Sequence, residues 1–127
     1  MYFDSHTHLT EDCFAQDFST IVDNMKAAGV TAMMEIGYDE PSSRQAVALA
    51  EKYDWVWAAV GSHPDDAARV DEARIEEYRM LCKNPRVKAI GEIGLDYHYE
   101  EPAREIQQQA FRLQMALAKK LSMPVVI

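Results

Sequence analysis

The sequence predicts an α/β fold: the N-terminal half of a (β/α)8 TIM-type barrel, with four βα units and the start of a fifth strand. Three observations carry that prediction. Short β-rich runs alternate with segments of helical spacing, the pattern of βαβ units on a parallel sheet. The first β-rich run is followed by LTEDCFAQ, where a doubly wound dinucleotide fold would carry a glycine-rich phosphate loop. The chain has 127 residues, whereas a complete barrel of this kind needs about 250. Residues 1–127 are therefore expected to form a single partial-barrel domain, truncated relative to the closed fold.

Each element has its own signal. The opening β-rich run is Tyr2–His8. In the helix that follows, Phe18, Ile21, Val22, Met25 and Ala28 recur at helical spacing, and Gly29 suits a C-terminal cap. Val30–Gly37 (VTAMMEIG) is the second strand. Pro41 fits the first turn of a helix reaching about Tyr53, and Trp55–Gly61 (WVWAAVG) is the third strand. Asp71 can cap a helix carrying Ile75, Tyr78, Met80 and Leu81, ahead of a fourth strand at Val87–Leu95 (VKAIGEIGL). Pro102 opens the longest helix, apolar at Ile106, Ala110, Phe111, Leu113, Leu117, Ala118 and Leu121, and Pro124 begins a last run, PVVI. The middle strands are nearly unbroken apolar runs, as expected where both faces of a sheet are covered.

Composition narrows the functions. Net charge is −8, from 21 acidic and 13 basic residues, so the chain has no general attraction for nucleic acid. A phosphate-bearing substrate would need local cations, and metal ions are the obvious ones. No apolar stretch approaches the roughly 18 residues that span a bilayer. The start, MYFDSHTH, lacks the basic and apolar regions of a secretory signal. Cys13 and Cys82 are far apart without CxxC spacing, which points to a reducing, cytoplasmic setting and against a cysteine nucleophile.

The chemistry is expected at the C-terminal ends of the strands. His6 and His8 stand two residues apart at the end of the first strand, on the face of Asp4, so their rings project together. Alone, such a pair could equally be a surface strand or two hydrogen-bonded core histidines. Glu92 lies in the apolar run AIGEIGL, where it is either an ordinary exposed strand residue or a carboxylate whose burial is costly unless a cation neutralises it. A metal ion held by His6, His8 and Glu92 removes that cost, and two imidazoles with a carboxylate form a common hydrolytic ligand set. His63, in GSHP after the third strand, is either a loop histidine bonded to nearby backbone or a substrate contact. Asp96, after the fourth strand, either caps its turn or meets substrate. Gln107, Gln108, Gln109 and Gln114 are expected on the long helix, away from the strand ends, as surface or packing residues.

Together DSHTHL, GSHP, GEIGLDY and QQQAFRLQMALAKKLSMPVVI, in this order and spacing, resemble the TatD family of metal-dependent deoxyribonucleases, barrels of the amidohydrolase-like group. The resemblance runs the length of the chain. It implies that His6 and His8 bind one divalent ion, Mg or Zn, and that Glu92 is catalytic and bridges it to a second. It also implies that His63 lies near the substrate. The implied reaction is phosphodiester hydrolysis of DNA, single-stranded and from its 3′ end, by a hydroxide that two metals activate, with RNA a further substrate. Asp65 departs from the histidine many members carry there, and Ser5 from a frequent threonine. Members usually follow the PVV stretch with a metal-binding histidine, and this sequence stops at Ile127. Two other functions stay open: amide hydrolysis or deamination by the same metals, or a catalytically incomplete half-barrel that forms a homo-oligomer through its exposed edges.

Overall fold

The computed structural model describes residues 1–127 throughout. Strands β1 (Tyr2–Thr7), β2 (Val30–Ile36), β3 (Val56–Val60) and β4 (Val87–Ile90) alternate with helices α1 (Phe18–Ala27), α2 (Glu40–Lys52), α3 (Glu72–Leu81) and α4 (Arg104–Leu121). The strands are parallel and lie in sequence order, β1-β2-β3-β4. That order is what successive βαβ units of one hand produce, and it is the curved wall of a half-barrel. A fifth strand begins as expected: Ile90 N–H donates to Pro124 O at 3.0 Å and Val126 N–H to Ile90 O at 2.9 Å.

Local chemistry sets the helix ends. Asp39 Oδ1 accepts from Ser42 N at 2.8 Å, and Ser42 Oγ accepts from Asp39 N at 3.0 Å, a reciprocal cap on α2. Asp71 caps α3 by accepting from Arg74 N at 2.8 Å. After α1 the chain turns through Gly29, whose φ of 88° favours glycine.

The main core lies between the sheet and the helices. Met33, Val56, Ala58, Val60, Val87 and Ile90 pack with Ala46, Val47 and Ala50 of α2, Tyr78 of α3, and Leu117 and Ala118 of α4. Ile36, Ala59 and Ala89 form a smaller cluster with Met34 and Val126. At the β1 edge Tyr2 and Phe3 are exposed, and so is Ile127 beside β4. No helix is long and apolar enough to cross a membrane.

One boundary needs correction. The fourth strand was expected to run through Leu95, but β4 ends at Ile90. Beyond it Gly91 N–H still donates to Val60 O at 2.9 Å, but Glu92 N–H donates to Gly37 O at 2.6 Å, past the end of β3. The chain leaves the ladder and leans across the mouth of the sheet. Apolar content alone could not show this, because backbone partners rather than side chains decide it.

Candidate metal centre

At the exit of β1, alternation sends Thr7 one way and His6 and His8 the other. The two Nε2 atoms come to 3.1 Å of each other, with the rings edge to face. His8 Nδ1 lies 3.0 Å from Ile36 O. A carbonyl only accepts, so the proton sits on Nδ1 and the lone pair of Nε2 is left for another partner.

Glu92 reaches the same point from the far side of the sheet. Three strand spacings separate β1 from β4, about 14 Å if the sheet were flat, more than a histidine and a glutamate can bridge. Yet Glu92 Oε2 is 3.3 Å from His6 Nε2 and 3.7 Å from His8 Nε2. Curvature of the sheet and the inward lean after Ile90 close the gap. Gly91 makes the lean possible: a Cβ there would come within 2.6 Å of Val126 Cβ and 2.7 Å of Val126 O.

These donor atoms suit one ion. A circle through corners 3.1, 3.3 and 3.7 Å apart has a radius of about 2.0 Å, which is a metal–ligand distance for imidazole nitrogen and carboxylate oxygen. An ion held by these three donors would have positions left for further ligands. The side chains of His6, His8 and Glu92 are 38%, 28% and 23% exposed, so those positions face solvent. The premise about Glu92 also changes: it stands at the end of the strand, partly solvated, and not buried within it.

His63 is placed at the rim. It opens the 3-10 turn Pro64–Arg69, and its Nδ1 accepts from Asp65 N at 3.2 Å. It lines one cleft with His8, Tyr38, Asp65, Arg69 and Glu92. Asp96 stands farther out. Its Oδ1 accepts from His98 N at 2.9 Å, which is the turn-capping arrangement, and it borders a smaller hollow shared with Glu92 and His63. Cys82 is no nucleophile here, because burial pushes its thiol up to about 11.

Three residues that hold the site differ from or escape the sequence reading. Gln107 and Gln114 were expected away from the strand ends, but both are buried and bind the loops there. Gln114 Oε1 accepts from Ser62 N at 2.8 Å and its Nε2 donates to Ser62 O at 3.0 Å, next to His63. Ser62 Oγ in turn meets Asp66 and Tyr78, whose hydroxyl is shifted upward in pKa by burial. Gln107 makes the matching pair with the backbone of Asp96, at 2.8 and 2.7 Å. The signal was present: Gln107 and Gln114 share the apolar stripe of α4 with Ala110 and Leu117. The third residue is Glu35, fully buried in β2. The cost argument applied to Glu92 applies with more force to this single charge in VTAMMEIG.

Comparison with known proteins identifies the family of the chain. Residues 3–127 match the family model described as TatD related DNase. An uncharacterized metal-dependent hydrolase, YabD of Bacillus subtilis, is 37% identical over 127 residues, covering 100% of this chain and 50% of its own. The 3'-5' ssDNA/RNA exonuclease TatD of Klebsiella pneumoniae is 38% identical over 123 residues, 97% of this chain and 47% of its own. The crystal structure of YjjV, a TatD homolog from Escherichia coli K12, superposes with a TM-score of 0.88 at 29% identity, over 98% of this chain and 49% of that one. The chain thus spans about half the length of the curated relatives it matches. Because the family model matches residues 3–127, the chain belongs to the family of TatD-related DNases.

Proposed function

We propose that His6, His8 and Glu92 hold a divalent cation and that this domain supplies one half of the active site of a metal-dependent nuclease. The observation that carries the proposal is the meeting of three donor atoms from opposite edges of the sheet on a circle of ligand radius. The names of the relatives support single-stranded DNA as substrate, hydrolysed from its 3′ end, and RNA as a second.

Divalent ions, when bound, supply a hydroxide nucleophile near neutral pH and offset charge on the attacking and leaving oxygens. The protein's part is positional. The Ile36 carbonyl keeps the His8 proton on Nδ1, so that Nε2 is the ligand. Glu92 would turn Oε2 to the same cation as the two Nε2 atoms, and its second oxygen would serve a second ion if one binds. Asp65, Asp66 and Glu92 outnumber Arg69, itself bonded to Asp66 at 3.0 Å, so the bare cleft repels phosphate. With a cation held by His6, His8 and Glu92 that sign would reverse, so substrate binding as well as chemistry would depend on metal. His63 stands at the rim of the cleft to meet the incoming strand, and Asp96 borders the hollow beside it. A cytoplasmic setting accords with both cysteines being free.

Glu92→Gln tests the proposal. Titration with Mn²⁺ or Zn²⁺ is expected to show at least tenfold weaker binding than in the parent chain. In a chain that carries the remaining half of the barrel, metal-dependent release of nucleotides from a single-stranded oligonucleotide should fall about 100-fold or more, while a panel of amides stays intact. Unchanged metal affinity and unchanged nuclease activity would refute it.

A further inference from the structure

Glu35 is 0% exposed and has no cation beside it. Its partners are all N–H and O–H donors, and all come from the stretch that carries His8. Oε2 accepts from Thr7 Oγ1 at 2.8 Å and from Leu9 N at 3.0 Å. Oε1 accepts from Thr10 N and Thr10 Oγ1, both at 2.8 Å. Strand alternation puts this carboxylate on the face of Met33, in the core, away from the cleft, so it is not itself a ligand.

We propose that Glu35 is a positioning residue that fixes the backbone of Thr7–Thr10 and thereby aims the His8 imidazole at the cation. This rests on reading His6, His8 and Glu92 as a cation site. The residues after β1 leave the ladder at Thr7, so the Leu9 and Thr10 N–H groups have no strand to pair with. Glu35 satisfies both, one on each oxygen. Its neighbour Ile36 supplies the carbonyl that fixes the His8 ring. Two adjacent residues of β2 therefore hold both the backbone and the ring of one ligand.

The arrangement makes a pointed prediction about a nearly isosteric change. In Glu35→Gln an amide N–H₂ replaces one oxygen, and whichever way it turns it faces a backbone N–H. That N–H cannot reverse its role as the threonine hydroxyls can. Zn²⁺ affinity of the chain is expected to fall about 10- to 100-fold, the usual effect of losing a group that orients a ligand, with the far-ultraviolet circular dichroism unchanged. Amide hydrogen exchange at Leu9 or Thr10 should accelerate, and the His8 Nδ1–H tautomer, read by nitrogen NMR in the metal-free chain, should lose its dominance. Thr10→Val, a milder change should Glu35→Gln fail to fold, is expected to weaken Zn²⁺ binding several-fold, with Thr10→Ser restoring it.

A folded Glu35→Gln chain with parental Zn²⁺ affinity and parental His8 tautomer would overturn the proposal, as would Thr10→Val binding like the parent. The cation reading fails separately, through a parent chain that binds no Zn²⁺ or a His8→Ala chain that binds it equally well. In that case the exchange rates and the tautomer still decide the role of Glu35.

Discussion

The exits of β1 and β4 meet at one point but are held by opposite means. The first, Thr7–Thr10, is held by a charged side chain: one buried carboxylate gathers two backbone N–H groups and two hydroxyls. The second, Gly91–Asp96, is held by backbone and neutral amides: Val60 O, Gly37 O and Val126 O accept its N–H groups, and Gln107 clamps Asp96. The difference follows from neighbours. At the exit of β1 only β2 is adjacent, so a side chain from β2 must do the holding. The exit of β4 lies between β3 and the start of the fifth strand, and strand ends on both sides supply carbonyls. The comparison teaches that the backbone of one half of this site rests on a single side chain, and that of the other on many weak contacts.

The largest effect should come from Gly37, just after β2, which packs on α2 and holds the β4 exit. A Cβ on Gly37 would sit 2.3 Å from Ser43 Oγ and 2.6 Å from Ser43 Cα, and Gly37 O also receives the Glu92 N–H. Gly37→Ala should therefore push β2 off α2 and cost about 3 kcal/mol in urea unfolding, with cation binding weakened through Glu92. A variant of parental stability would show that these elements separate freely. Gln107→Ala is expected to cost less, about 1–2 kcal/mol, because Glu92 and Ile93 keep their own backbone partners. Faster exchange confined to the Asp96 amide would sharpen the contrast, and global unfolding would break it.

The smallest effect lies outside both exits. Burial raises the Cys82 thiol to about 11 from an ordinary 9.0, so the folded chain holds that proton more tightly than the unfolded one. The stability this contributes is full below pH 9 and is lost as pH rises toward 11. Urea midpoints measured at pH 8, 9, 10 and 11 should fall across that window, and Cys82→Ala should flatten its lower part. Tyr78, raised by burial as well, adds to the fall at the upper end. A flat profile in the parent chain would show that burial of Cys82 has no energetic consequence.

Legibility was uneven, and the reasons are physical. His6 and His8 could be paired because a strand has a period of two, and Glu92 stood out because a charge in an apolar run is costly. The same reasoning passed over Glu35, since its compensation comes from N–H and O–H donors that no spacing rule displays. Gln107 and Gln114 looked like surface residues because glutamine usually is one. Their burial depends on loops from β3 and β4 folding back onto α4.

The sequence by itself determined the alternation of strands and helices, the parallel half-barrel and the identity of the three convergent donors. Hydrophobic period, caps and residue chemistry are local properties, and they are written in consecutive residues. Only the tertiary structure decided that β4 stops at Ile90, that Glu92 crosses the mouth of the sheet to meet the histidines, and that a core carboxylate steadies one of them. Those outcomes depend on sheet curvature and on which carbonyl or carboxylate lies within 3 Å of a given N–H, and such distances exist only between residues far apart in the chain.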